Sequence, residues 1–171
     1  MLPGPVVRGS KNPLHFGLAS RLKALLKTAD MPMLQLAERA GLYTSHVAYI
    51  LDSSRAPRID TVEKLARALG VSPCWLAFGQ EGPLSEPDTL CSAELSARLA
   101  DARTQAGLSR KELGRLSATS DTTVRQVETR EICPNLATVE RLAVTLSVSP
   151  CWLAYGVGTR DSAQHRPSDR T

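Results

Sequence analysis

Apolar positions along this chain recur at helical spacing in short bursts, and the bursts form two sets of five. In the first set Leu18, Leu22, Leu25 and Leu26 share a face while Arg21, Lys23 and Lys27 lie outside it, which predicts a helix over 16–28. Asp30-Met31-Pro32 ends it and opens the next, because Pro suits a first helical turn. Leu36, Ala37 and Ala40 predict a second helix from Met33 to Ala40, closed by Gly41 as a left-handed cap. Val47, Ile50 and Leu51 then predict a third helix over Thr44–Asp52. After the polar stretch Ser53 to Pro57, a fourth helix follows, with Arg58 or Asp60 near its cap and Val62, Leu65, Ala66 and Leu69 inward. Ser72-Pro73 reads as N-cap and first position of a short last helix ending at Gly79.

The second set predicts helices at Glu94–Thr104, Ser109–Ser117, Asp121–Arg130, Leu136–Leu146 and Pro150–Tyr155, with a Ser109/Glu112 capping box on its second helix. The sets are copies. Sliding the chain by 77 positions aligns 15–79 with 92–156 without a gap, and 21 of the 65 pairs are identical. Most conspicuous are VSPCWLAFG (71–79) and VSPCWLAYG (148–156), which differ only at Phe78/Tyr155. One repetition of a unit this long is a tandem duplication of a small domain, not a solenoid. The predicted organisation is all-α: a flexible basic arm (1–14), a five-helix unit (15–79), a linker (80–91), a second five-helix unit (92–156) and a disordered tail (157–171). Each unit is near the lower size limit for burying its own core, and Trp75 and Trp152 are the expected plugs.

Composition removes several functions. Four cysteines (74, 91, 133, 151) include no CxxC pair and no nearby His at metal spacing, so neither a metal site nor a disulfide framework is expected. Cys74 and Cys151 are the second residues of equivalent short helices, where a helix N-terminus lowers a thiol pKa; a redox switch and two inert thiols copied by duplication both fit, and the second is preferred. His15, His46 and His165 lack catalytic company, and no nucleophile set, phosphate loop or carboxylate pair appears, so neither an enzyme nor a cofactor is expected. The opening MLPGPVVRGSKNP has Pro and Gly where a secretory segment needs an apolar run, and no stretch approaches transmembrane length, which predicts a soluble cytoplasmic protein without membrane contact. Net charge is +4, divided as +5 over 1–80, −2 over 81–157 and +1 over the last fourteen residues, so the first half leans toward a polyanionic partner.

In each unit the second and third helices and their tight turn form a helix-turn-helix. LAERAGLYTSHVAYILDSSRAP…TVEKLARALGVSPCWLAFG and LGRLSATSDTTVRQVETREICP…TVERLAVTLSVSPCWLAYG resemble the Cro/CI-type (lambda-repressor-like, XRE-family) DNA-binding domain. The likeness covers about 130 of the 171 residues with its element spacing intact. It implies a prokaryotic or phage regulator of transcription, a repressor by preference, that binds double-stranded DNA with each third helix in the major groove.

That places Thr44, Ser45, His46 and Tyr49 of the first unit at base edges, and Asp121, Thr122, Thr123, Arg125 and Gln126 of the second. The second set has the better chemistry: Gln126 suits adenine, Arg125 guanine or a phosphate, Asp121 cytosine N4, and the threonines a phosphate or a thymine methyl. Phosphate contacts fall to Ser54, Arg55 and Arg58 in the first unit and to Arg110 and Arg130 in the second; for the arm with Arg8 and Lys11, plain disorder is preferred to lying along a groove. The first unit departs from the pattern: Met33 replaces a hydrogen-bond donor, Leu51 a Glu (Glu128 in the second unit) and Tyr43 a polar N-cap (Ser120). Hence an alternative expectation, an antitoxin-like or anti-activator module whose first unit binds a protein through Tyr43, Tyr49 and Leu51. Two units in one chain also predict a pseudo-dimer on an asymmetric site, since a twelve-residue linker can extend to about 40 Å. A homodimer of chains would read a longer site with four half-sites.

Overall fold

A computed structural model of the chain describes residues 13–52, 55–82, 84 and 91–161. The first unit comprises α1 (Leu18–Thr28), α2 (Met33–Ala40), α3 (Thr44–Asp52), α4 (Ile59–Leu69) and α5 (Pro73–Phe78). The second comprises α6 (Leu95–Gln105), α7 (Arg110–Leu116), α8 (Asp121–Glu128), α9 (Leu136–Leu146) and α10 (Pro150–Tyr155). A short 3-10 turn precedes each set, Leu14–Gly17 and Cys91–Glu94. Among the described residues there is no strand, and no helix is long and apolar enough to cross a membrane.

Most boundaries match the periodicity, and the exceptions have local causes. α1 starts later than expected because Phe16 belongs to the 3-10 turn and stays exposed. α8 stops at Glu128 because Arg130 takes a left-handed φ of 62°. Gly41 closes α2 at φ 64°, as its missing Cβ allows. The fourth helices differ: Asn135 caps α9 by accepting from Thr138 N–H (2.9 Å), whereas Arg58 holds the N-cap place of α4 without a side-chain cap bond and Asp60 accepts from Thr61 N–H (2.9 Å).

The cores repeat position for position. Leu22, Leu36, Val47, Val62, Leu65 and Leu76 are buried, as are their counterparts Leu99, Leu113, Val124, Val139, Leu142 and Leu153. Arg21 donates to the carbonyls of Leu76 and Ala77 (2.9 and 2.8 Å), and Arg98 to those of Leu153 and Ala154 (3.0 and 2.9 Å). Both arginines thus satisfy carbonyls that a helix end leaves unpaired. The tryptophans are not the plugs expected of them. Leu76 and Leu153, one position further on, take the inner place, and Trp75 and Trp152 sit half-buried at the edge. The Arg160 guanidinium covers the Trp152 ring (5.3 Å to its centroid) while Ser149 N–H donates to Arg160 O (2.8 Å). Residues 157–161, expected in a disordered tail, therefore fold back onto the second unit.

The two units are in direct contact rather than spaced along a tether. Ile59 N–H donates to Pro134 O (3.1 Å) and Leu136 N–H to Pro57 O (3.0 Å). Ile59 matches Leu136 and Pro57 matches Pro134, and such reciprocal pairing is the mark of a twofold seam. α5 packs on α10, with the Phe78 and Tyr155 rings 6.5 Å apart and Tyr155 Oη donating to Ile59 O (3.2 Å). The first 3-10 turn reaches across to α9, where Glu140 accepts from Leu14 N–H (2.7 Å) and pairs with His15 Nδ1; the second reaches to α4, which carries the buried Glu63. Cys74 and Cys151 meet on this seam. Hydrogen bonding to Cys74 and burial push the Cys151 thiol well above the ordinary range, the opposite of the helix-terminus effect. The repeated nonapeptide is thus both a core element and the surface on which each copy meets the other.

Candidate nucleic-acid interface

In the second unit the sequence builds two firmly capped helices around a tight turn. Ser109 and Glu112 form the capping box of α7, and Ser120 caps α8 by accepting from Thr123 N–H (2.9 Å). Gly114 lets the helices approach: a Cβ there would lie 2.8 Å from Asp121 N and 2.9 Å from Ser120 C. This crossing places both helix N-termini beside one open groove, lined by Arg103, Arg110, Lys111 and Arg125 together with Asp121 and Thr122. Backbone N–H groups and four cations around one cleft suit a polyanion.

Along α8, Asp121, Thr122 and Arg125 are exposed, and Thr123 and Gln126 are half-buried. The Thr123 hydroxyl is already shared with Ser120 Oγ at 2.8 Å. Arg125 pairs with Glu131 (2.8 Å) in the turn beyond the helix. Arg110 stands at the groove and pairs through Nε with Glu128 (2.6 Å), which Arg103 also holds (2.5 Å). Burial opposes the Glu128 charge, yet hydrogen bonds from Arg103 and Arg110 and their positive charge hold its carboxyl below the ordinary range. The trio ties α6, α7 and α8 together. Arg130 points elsewhere: its Nε donates to Ser96 on α6 (2.9 Å). Arg103 and Lys111 were not singled out in the sequence; Lys111 was legible as the cation beside Arg110, whereas nothing marked Arg103 apart from its partner Glu128.

The first unit presents the same scaffold with different chemistry. Ser45, His46 and Tyr49 are exposed on α3 and Thr44 is half-buried. Where the second unit has Arg103, Arg110 and Glu128, it has Leu26, Met33 and Leu51. Where the second unit has Arg110, Lys111, Ser120 and Gln126, it shows Met33, Leu34, Tyr43 and Tyr49, exposed by 36%, 57%, 84% and 49%. Leu51 packs against the core instead of joining that surface. Arg55 is exposed, and Arg58 pairs with Asp60 (3.0 Å) beside the seam. Ser54, Arg8 and Lys11 lie outside the described residues.

Known families match both units. A Helix-turn-helix domain model covers residues 94–154, and a second Helix-turn-helix model covers 22–76. No curated protein and no solved structure matches the chain. With both matches falling on the units just described, the chain belongs to the helix-turn-helix family as two tandem Cro/CI-like domains, the build of a DNA-binding regulator.

Proposed function

We propose that the chain is a sequence-specific, double-stranded-DNA-binding repressor of transcription in which α8 enters the major groove and the two units act as one pseudo-dimer. The observation that carries this reading is the cationic groove shared by the N-termini of α7 and α8, with Arg125 and Gln126 on the reading helix. Arg110 and Lys111 serve phosphates, while Arg125, Gln126, Thr122 and Asp121 serve base edges. Thr123, whose hydroxyl is engaged by Ser120, contributes its methyl group. The twofold seam supports pseudo-dimeric action, since it holds the units without the cost of bringing two chains together. Repression needs only that the bound protein occupies a promoter, and such a protein resides on the nucleoid.

Selection of bound sequences from a random duplex pool tests this, run on wild type and on Arg125→Ala/Gln126→Ala. An enriched site that the double substitution abolishes is expected; no enrichment from folded protein would sink the proposal. Two phosphate-facing cations, Arg110 and Lys111, give a salt slope of about −1.8, so affinity should fall about 12-fold between 50 and 200 mM salt.

A specific observation favours a second reading for the first unit. Met33, Leu34, Tyr43 and Tyr49 form an exposed apolar surface where phosphate donors would stand, and this suits a protein partner better than DNA. In that case Tyr43→Ala/Tyr49→Ala loses the partner and keeps the DNA site. Loss of half the selected DNA site would show instead that α3 reads bases.

A further inference from the structure

We propose that Glu131 is a specificity-determining residue of the second unit, acting through Arg125 as a buttress that aims its guanidinium at a guanine edge. The inference rests on the reading of α8 as the base-contacting helix. Arg125 Nη1 donates to Glu131 Oε1 (2.8 Å), and the Thr129 hydroxyl donates to the same oxygen (2.8 Å). An arginine held by one nitrogen keeps the rest of its planar fork for a two-point contact, which guanine O6 and N7 supply.

The turn that puts Glu131 there is built for the purpose. Arg130 takes a left-handed φ of 62°, a conformation disfavoured for a residue with a Cβ. Its guanidinium is anchored on the buried Ser96 hydroxyl (2.9 Å), and Glu131 N–H then donates to Gln126 O (2.8 Å). The chain is thereby turned back so that Glu131 lies alongside Arg125. The first unit has Ala48, Asp52, Ser53 and Ser54 at the positions of Arg125, Thr129, Arg130 and Glu131, so the device belongs to the second unit alone.

Two consequences follow from charge. A lone Arg125 would bind any phosphate it reached, and sequence-independent contact of this kind is what weakens discrimination. Paired with Glu131, it approaches the backbone with its charge balanced and a carboxylate facing the phosphates. Glu131 therefore lowers affinity for arbitrary DNA while sharpening the choice of base.

The test compares wild type with Glu131→Gln, which keeps the shape and an acceptor oxygen but removes the charge, and with Arg125→Ala. Each is titrated on the selected duplex, on duplexes changed at single positions, and on unrelated DNA at fixed salt. In Glu131→Gln the preference for guanine at one position should fall about tenfold, within the range of one bidentate contact. Its affinity for unrelated DNA should rise several-fold at the same time. Thr129→Val, which removes the second hydrogen bond and keeps the charge, should show a smaller loss of preference with little gain on unrelated DNA. An unchanged guanine preference in Glu131→Gln, while Arg125→Ala abolishes it, would overturn the buttress and leave α8 as the reader. An equal loss of affinity on every duplex would likewise assign Glu131 a merely structural role. If Arg125→Ala alters no preference anywhere, the base-reading role of Arg125 fails and the buttress fails with it.

Discussion

Removing Glu128 tests how the second helix-turn-helix is held, because the first unit supplies the control. The Glu128 side chain is only 2% exposed and is paired with Arg103 and Arg110, whose side chains are 17% and 46% exposed. Breaking a fully buried ion pair from one side costs about 3–5 kcal/mol, mostly because the other charge is stranded. Arg110 can turn to water, so the penalty falls on Arg103, which still donates to Leu108 O (2.8 Å). Glu128→Leu should therefore cost less than that range, about 2–3 kcal/mol. If the packed pair unfolds as one unit, this lowers Tm by about 4–12 °C. The first unit fills the same three places with Leu26, Met33 and Leu51. Grafting them, as Arg103→Leu/Arg110→Met/Glu128→Leu, removes all three charges together, and such replacements are neutral to stabilising by about 1–4 kcal/mol. Urea unfolding followed by circular dichroism should rank the graft at or above wild type and the single variant well below both. DNA affinity should fall in the graft, which lacks Arg110. A single variant as stable as wild type, or a graft no better than the single variant, would refute the argument.

Acid titration should expose the same carboxylate. Its folded pKa is depressed below an unfolded value of about 4.3, so its stabilisation is complete above that value and is lost as pH falls through the folded one. Wild type should therefore lose more stability than the triple graft between about pH 5 and pH 3, and parallel curves would count against it. Gly114→Ala places a Cβ against backbone at 2.8 Å, and overpacking of about 1–3 kcal/mol should exceed the gain of about 1 kcal/mol in helix propensity. A Gly114→Ala protein that melts higher than wild type would contradict the close crossing. Cys151, with its thiol pushed up by Cys74 and by burial, should resist alkylation at pH 8 until urea is added; prompt labelling of native protein would show that the seam opens.

The helices were legible because each hides one face, and the duplication allowed every element to be read twice. The seam was harder to see. Positions such as Cys74, Phe78, Cys151 and Tyr155 look like ordinary core, since apolar periodicity cannot tell a neighbour in the same unit from one in the other copy. A usable signal was present in Glu63 and Glu140, charges on the inner faces of α4 and α9 that both copies retain. A charge buried twice at equivalent places implies a partner outside its own unit, and for Glu140 the opposing 3-10 turn supplies it through Leu14 N–H and His15. The candidate reading residues were legible from the resemblance, but their ties were not. That Arg125 is held by Glu131, and that Arg130 turns toward Ser96, depends on a left-handed residue after α8 that no periodicity predicts.

The two copies have diverged unevenly, and the pattern bears on mechanism. Eight of the nine positions in 71–79 match their counterparts, whereas only Leu36 and Val47 match among the 23 positions of 33–55. Both of those leucine and valine positions are buried, so what was kept identical there is packing, and every exposed position has changed. A dimer of identical chains cannot change one reading surface without changing the other. A covalent pair joined by a seam can, because the seam positions its two helix-turn-helix surfaces while selection acts on each alone. On the proposed reading one surface kept cations, caps and a buttressed arginine, and the other exchanged them for Met33, Leu34, Tyr43 and Tyr49. The loss of charge at α2 would weaken phosphate contact at every sequence, not at particular ones. That is the change expected of a surface released from DNA, and it makes an asymmetric operator, dominated by the half that α8 reads, the direct consequence.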